Sequence, residues 1–277
     1  MIKRYHEAPL CLFDDVQKQT DGDYALVHLF DKNEAYFNKF KEAIANGRDV
    51  ILDNSIFELG EAFEGEDFAY WIRQLKPTWY IVPDCWKDGK KTVEMFNDFV
   101  KKFPVLPGKI IGVAQGKTIV EVIECYQALK DRCDMIAFNL DFSSIFYDSF
   151  LSNCSRDYKS SLVPYCVAMS IGRHSVLCTL QTLGVIDENK PHHLLGCGVP
   201  QEVQWYDKNW TWIRSIDTCN PVMAGMHGRS YNPVSGISWK ASNKMCDQMN
   251  AYVNWKDRGR VLHNIEIMKE WCTTWKE

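Results

Sequence analysis

The sequence predicts an α/β protein of the (β/α)8, TIM-like barrel class, a single domain with a helical, aromatic C-terminal extension. Three observations predict it: eight short apolar runs recur along the chain, stretches long enough for crossover helices separate them, and several runs stop at a polar or charged residue instead of an ordinary turn. Continuous apolar strands imply burial on both faces, hence a parallel sheet covered by helices. A length of 277 residues suits this architecture, because such barrels commonly run to about 250 residues as one unit.

The strand-like runs, in order, are Tyr24–Phe30, Val50–Asp53, Trp79–Val82, Ile110–Ala114, Met135–Phe138, Tyr165–Met169, His193–Leu195 and Ile213–Ile216. Between them, Thr92–Lys101 places Val93, Phe96 and Val100 on one helical face, and Thr118–Leu129 does the same with Ile119, Val122, Ile123, Tyr126 and Leu129. One domain is expected over residues 1–277, with barrel strands and helices from about 20 to 220 and the extension over 221–277. An open doubly wound sheet is the alternative, but the GxGxxG phosphate loop expected at its first turn is absent.

Hydrophobic content of 46%, charged content of 25% and a net charge of -4 are those of an ordinary globular protein and argue against one coated in positive charge. A nucleic-acid partner would need basic residues concentrated locally. The stretch after Asp217 offers eight Lys and Arg against five Asp and Glu, among them Arg229, Lys240 and Lys244, which a solvated surface explains about as well. Eleven cysteines without framework spacing, no signal peptide and no long apolar span lead to the expectation of a cytoplasmic protein with free thiols and no membrane role. Cys85, Cys166 and Cys197 lie in apolar runs, where cysteine acts as a small hydrophobe.

A barrel places its chemistry at the C-terminal ends of several strands. Reading those ends gives Asp53, Asp84, Gln115, Asn139, Ser170 with Gly172, the Gly196-Cys-Gly198 pair and Asp217. Any single aspartate after a strand is more often a turn residue or a helix cap. Their joint occurrence points to a site.

These segments resemble the tRNA-guanine transglycosylase family, and the short length is most like its phage-type paralogues that insert 7-deazaguanines into DNA. The resemblance runs colinearly through Asp53-Asn-Ser-Ile-Phe57, Asp84-Cys85, Gly112-Val-Ala-Gln115-Gly116, Val167-Ala-Met-Ser-Ile-Gly172-Arg173, Leu195-Gly-Cys-Gly-Val-Pro200 and Asp217-Thr-Cys-Asn-Pro221. It implies guanine exchange through a covalent aspartyl-glycosyl intermediate, with Asp217 as nucleophile and Asp53 as general acid/base. It further implies base binding by Asp84, Gln115, Phe57, Met169, Gly172, Leu195 and Gly196, and nucleic-acid contacts from Arg229, Lys240 and Lys244. Arg173, where queuine-type members carry glutamate, would favour a neutral incoming base such as 7-cyano-7-deazaguanine. The partners implied are DNA, with tRNA as the alternative, and the free deazaguanine; the oligomeric state stays open. A hydrolase using the same carboxylates and a non-catalytic nucleic-acid-binding relative are the competing readings.

The C-x-C-x-x-C zinc spacing of the tRNA enzymes is missing, and Cys219, His227, Cys246, His263 and Cys272 do not reproduce it, so neither metal nor other cofactor is expected. In the extension, Trp239, Tyr252, Trp255, Trp271 and Trp275 sit among basic residues. Trp271 and Trp275, four apart, read as the apolar face of a last amphipathic helix closing the barrel.

Overall fold

In the computed structural model, which describes residues 1–145 and 164–273, eight strands close into a barrel in sequence order. They are β1 (Lys3–Tyr5), β2 (Gly22–Leu26), β3 (Asp49–Asp53), β4 (Trp79–Ile81), β5 (Lys109–Ala114), β6 (Met135–Phe138), β7 (His192–Leu194) and β8 (Ile213–Asp217). Every neighbouring pair is parallel, and β1 beside β8 closes the ring with Tyr5 level with Asp217. The described α-helices are α1 (Phe13–Gln17), α2 (Glu34–Ala45), α3 (Ile56–Leu59), α4 (Gly65–Leu75), α5 (Gly89–Lys102), α6 (Ile119–Leu129), α7 (Tyr165–Thr182), α8 (Asn220–Met226) and α9 (Trp255–Thr273).

The fold class is the one the sequence predicts, but one strand is exchanged for another. Tyr165–Met169 opens α7, so Ser170 and Gly172 lie inside a helix and end no strand. The burial pattern gives the reason: Ala168, Met169, Gly172, Val176, Leu177 and Leu180 are buried, and they recur at helical rather than alternating spacing. The missing strand is β1, so the barrel begins at Lys3 and not near residue 20. Its Arg4 is buried and donates through Nε to Asp21 at 2.9 Å. Its Tyr5 ring crosses Gly22 so closely that a Cβ there would stand 2.2 Å from it. A strand of three residues containing two cations offers no apolar run to detect.

The helix starts obey the expected capping chemistry, in which a side-chain oxygen accepts from an orphan amide of the first turn. Asn33 serves α2 through Tyr36 N at 3.0 Å, Asp88 serves α5 through Lys91 N at 2.9 Å, and Thr118 serves α6 through Glu121 N at 3.2 Å. The C-terminal extension is barrel covering. In α9, Val261 packs so tightly on Gly225 of α8 that a Cβ there would meet its backbone nitrogen at 2.5 Å. Trp271 is buried, stacks on Tyr231 at an interplanar angle of 7° and donates its indole N–H to the Pro233 carbonyl at 2.9 Å. The expectation for Trp275 falls outside the described residues. Among the described residues no helix is long and apolar enough to cross a membrane.

Candidate active site

All eight strands deliver a residue to one cavity at the C-terminal mouth of the barrel. Glu7 lies just past β1, Leu26 and Asp53 end β2 and β3, Asp84, Gln115, Asn139 and Leu195 lie just past β4, β5, β6 and β7, and Asp217 ends β8. The cavity measures about 170 Å³. A dry engineered cavity of about 150 Å³ accommodates benzene, so the space suits a small molecule. Phe57 and Glu58 of α3, Trp86, and Lys240 and Lys244 complete the wall.

On one side, four strand ends share a hydrogen-bonded chain. Asp84 accepts from Asn54 Nδ2 at Oδ1 and from Gln115 Nε2 at Oδ2, both at 2.7 Å. Gln115 Oε1 in turn accepts from Asn139 Nδ2 at 2.8 Å and from Lys87 N at 3.0 Å. Burial raises the Asp84 carboxyl above its ordinary range, and the two amide donors oppose that rise. Gln115 spends most of its hydrogen-bonding capacity inside this chain. It orients Asp84, where the sequence expectation made it a reader of an incoming base.

Asp217 is held on the neighbouring side. Its Oδ1 lies 2.9 Å from His193 Nε2 and accepts from Gly196 N, also at 2.9 Å. Strand alternation explains the two adjacent histidines of β7: His193 meets Tyr24, Ser215 and Asp217 inside the barrel, while His192 packs among Tyr126, Phe138 and Trp212 on the outside. A proton on His193 Nε2 satisfies both of its contacts, with Nδ1 accepting from the Ser215 hydroxyl at 2.7 Å.

Among the described residues the remaining carboxyls have fewer donors. Among the described residues Asp53 accepts only the Ser55 amide, at 3.0 Å, and its carboxyl is pushed well above the usual range by burial and then by the charges of Glu58, Asp217 and Asp84. Glu7 is raised well above its ordinary value by burial and by Glu58, Asp217 and Asp53. Burial lifts Glu58 to about 7, against its own backbone amide and the pull of Lys244 and Lys240, and among the described residues its buried Oε2 has no hydrogen-bond partner. Glu7 and Glu58 were not singled out from the sequence. Glu7 was hidden with β1, and Glu58 had one available signal, a second acid five residues beyond the strand-end Asp53 on a segment closed by Gly60.

The other expected site residues divide. Phe57, Leu195 and Gly196 reach the cavity wall; Met169 and Gly172 do not, being packed inside α7, where a Cβ on Gly172 would stand 2.5 Å from the Phe142 carbonyl oxygen. Arg173 is fully buried, paired with Glu202 and donating to the Leu195 and Gly196 carbonyls at 2.6 and 2.7 Å. It therefore cannot select a base by its charge. Of the three basic residues assigned to nucleic acid, Arg229 lies 4.8 Å over the Trp239 ring, and Lys240 and Lys244 lie 5.4 and 5.6 Å over the Phe57 ring at the cavity. Elsewhere in the extension Arg258 pairs with Asp15, Arg260 with Asp257 and Lys269 with Glu266. No group of three or more His, Cys, Asp and Glu among the described residues is arranged to hold a metal ion.

No family model and no curated protein matches this chain. Solved structures similar to it include β-methylaspartase from Clostridium tetanomorphum, at 10% identity and a TM-score of 0.46, covering 99% of this chain and 58% of that one. An enolase protein from environmental shotgun sequencing of the Sargasso Sea aligns at 9% identity and a TM-score of 0.44, over 78% of this chain and 54% of that one. The L-talarate/galactarate dehydratase of Salmonella typhimurium LT2 aligns at 9% identity and a TM-score of 0.40, over 78% and 47%. The chain thus spans about half the length of the proteins it is similar to. The transglycosylase assignment is corrected, together with the guanine exchange, DNA modification and related nucleic-acid readings drawn from it. The structure supplies the physical reason: one of the six matching segments is a helix interior, its Arg173 is sealed in an ion pair, and Gln115 is occupied by its neighbours.

Proposed function

We propose that this protein is an acid–base enzyme acting on a small, positively charged molecule bound in the barrel mouth. The observation that carries this reading is the convergence of Glu7, Asp53, Glu58, Asp84 and Asp217 on one cavity, with Lys240 and Lys244 the cations that oppose them among the described residues. Five acids against two cations leave an excess of negative capacity that burial and mutual repulsion keep partly protonated. A cationic ligand supplies the missing counter-charge and lets those carboxyls ionise. Perturbed carboxyls clustered in a cleft are a mark of acid–base sites.

The environments assign the roles. Glu58, at about 7, sits where a group both takes and returns a proton near neutral pH. Asp53, held well above the usual carboxylate range, is the proton donor of the pair. Asp217, fixed at Oδ1 by His193 and Gly196, orients the ligand with its other oxygen. Asp84 offers a second immobile acceptor. The reaction class is proton abstraction and return beside the ligand's cationic group.

The test is hydrogen exchange into small ammonium, amidinium and amino-acid compounds in D2O, monitored by NMR. Wild-type protein should label at least one of them, and Glu58→Gln should slow labelling by about a hundredfold or more, the usual worth of a positioned acid or base. Labelling that survives Glu58→Gln and Asp53→Asn unchanged overturns the assignment of roles. A cavity that binds anionic compounds in preference to every cation overturns the substrate class.

A further inference from the structure

We infer that Arg173 and Glu202 form a positioning pair that aims the Gly196 N–H at Asp217. The inference rests on the reading of Asp217 as the cavity's fixed acceptor. Both side chains are completely buried and paired with each other. Nη1 of Arg173 donates to the Leu195 carbonyl at 2.6 Å and Nη2 to the Gly196 carbonyl at 2.7 Å. Those two residues line the cavity, and the amide of the second meets Asp217 Oδ1 at 2.9 Å. One guanidinium therefore grips both carbonyls of the turn whose N–H fixes the carboxylate.

Glu202 is itself set from several directions. Ser170 Oγ donates to its carboxylate while accepting from Val199 N at 3.0 Å, and Tyr206 donates to Glu202 Oε1 at 3.4 Å. Gly196 needs this restraint because it stands in the left-handed region at φ 56°, where the chain turns sharply away from β7. Two residues on, Gly198 lies so close to α7 that a Cβ would come within 2.1 Å of the Cys166 carbonyl oxygen. Helix, turn and carboxylate form one mechanical unit. A planar, five-donor guanidinium can span two carbonyls and a carboxylate together, which an ammonium group on the same backbone cannot.

The test uses the unliganded protein, so its result stands apart from any failure to find a substrate. In the double variant Arg173→Met with Glu202→Leu, no lone charge is left buried, a replacement such sites often tolerate. The Gly196 amide proton should lose the downfield shift of a carboxylate-bound N–H and exchange at least about tenfold faster, while Ile51 and Leu52 of β3 keep their protection. An unchanged Gly196 signal overturns the inference, as does an equal loss of protection through β3, which would make the pair a general stabiliser. Should the double variant not fold, Arg173→Lys keeps the charge but cannot hold all three acceptors. It should release the Gly196 signal with β3 protection intact, and persistence of that signal overturns the inference equally.

Discussion

The two sides of the cavity treat the same chemical group in opposite ways. On the sector from β4 to β8, Asp84 and Asp217 are each met by two donors supplied by other strand ends or their loops. On the sector from β1 to β3, Glu7, Asp53 and Glu58 face one another, with, among the described residues, a single backbone amide on each of Asp53 and Glu58 and no partner on Glu58 Oε2. Donors fix a carboxyl's direction; crowding with few donors fixes its proton. A pocket built from both can hold a ligand in one orientation with the first set and exchange protons with it through the second. The difference also divides the costs, since donors offset part of the burial penalty on Asp84 whereas neighbouring carboxylates add to it at Glu7 and Asp53.

That division predicts substitutions of opposite sign. Asp84→Asn should be the more damaging, because the new amide sets an NH2 against the donors of Asn54 or Gln115 in a closed network. Leaving one buried polar pair unmatched costs about 3 kcal/mol at the upper end of the usual range, which for a chain of this size lowers Tm by roughly 6 °C. Glu58→Gln should do the reverse. Folded Glu58 keeps its proton up to about 7 whereas its ordinary value is 4.5, so the folded protein binds more protons across that window and loses stability as pH rises through it. The variant should therefore be more stable than wild type by about 3 kcal/mol at pH 8, with the advantage gone below pH 4.5. Thermal melts of both variants at pH 4 and pH 8 measure this directly. Shifts of the same sign at pH 8 would break the distinction between the sectors.

How much of this the sequence carried depended on strand length and on burial. Asp53, Asp84, Gln115, Asn139 and Asp217 were legible because each closes an apolar run, and the barrel topology brings all five to one mouth. Lys3-Arg4-Tyr5 was not, because its stability comes from Arg4 meeting Asp21 and Tyr5 crossing Gly22, contacts that leave no periodic mark. With β1 unseen, Glu7 had no strand end to belong to. Tyr165–Met169 misled for the opposite reason: five apolar residues fit a buried strand or a buried helix equally, and only the helical spacing onward to Leu180 separates them. The six short matches tracked residue types in order. What they missed was solvent access, and Arg173 shows the consequence: the same residue that suggested a ligand-facing charge is sealed behind the turn it holds.

The smallest expected effect probes the seam between the sectors. The helix α3 carries Phe57 and Glu58 to the cavity with Ile56 and Glu58 half-buried and Phe57 and Leu59 exposed, and it lies between two left-handed positions, Ser55 at φ 60° and Gly60 at φ 85°. Lys244 secures it by donating to the carbonyls of Phe57 at 3.2 Å and Glu58 at 2.7 Å, and together with Lys240 it covers the Phe57 ring. A helix of one turn cannot satisfy its last carbonyls internally: Gly60 N caps the Ile56 carbonyl at 2.9 Å, and this ammonium takes the two that follow. Lys244→Met should leave the barrel intact and weaken α3 by about 1 kcal/mol, read as roughly fivefold faster amide exchange at Leu59 and Gly60. The same change removes a positive charge that draws the Glu58 carboxyl downward, so its titration should move above the value of about 7. Faster exchange without that upward movement would mean that Glu58 leaves the acid cluster when α3 loosens, making the crowded sector a property of the closed helix and not of the barrel beneath it.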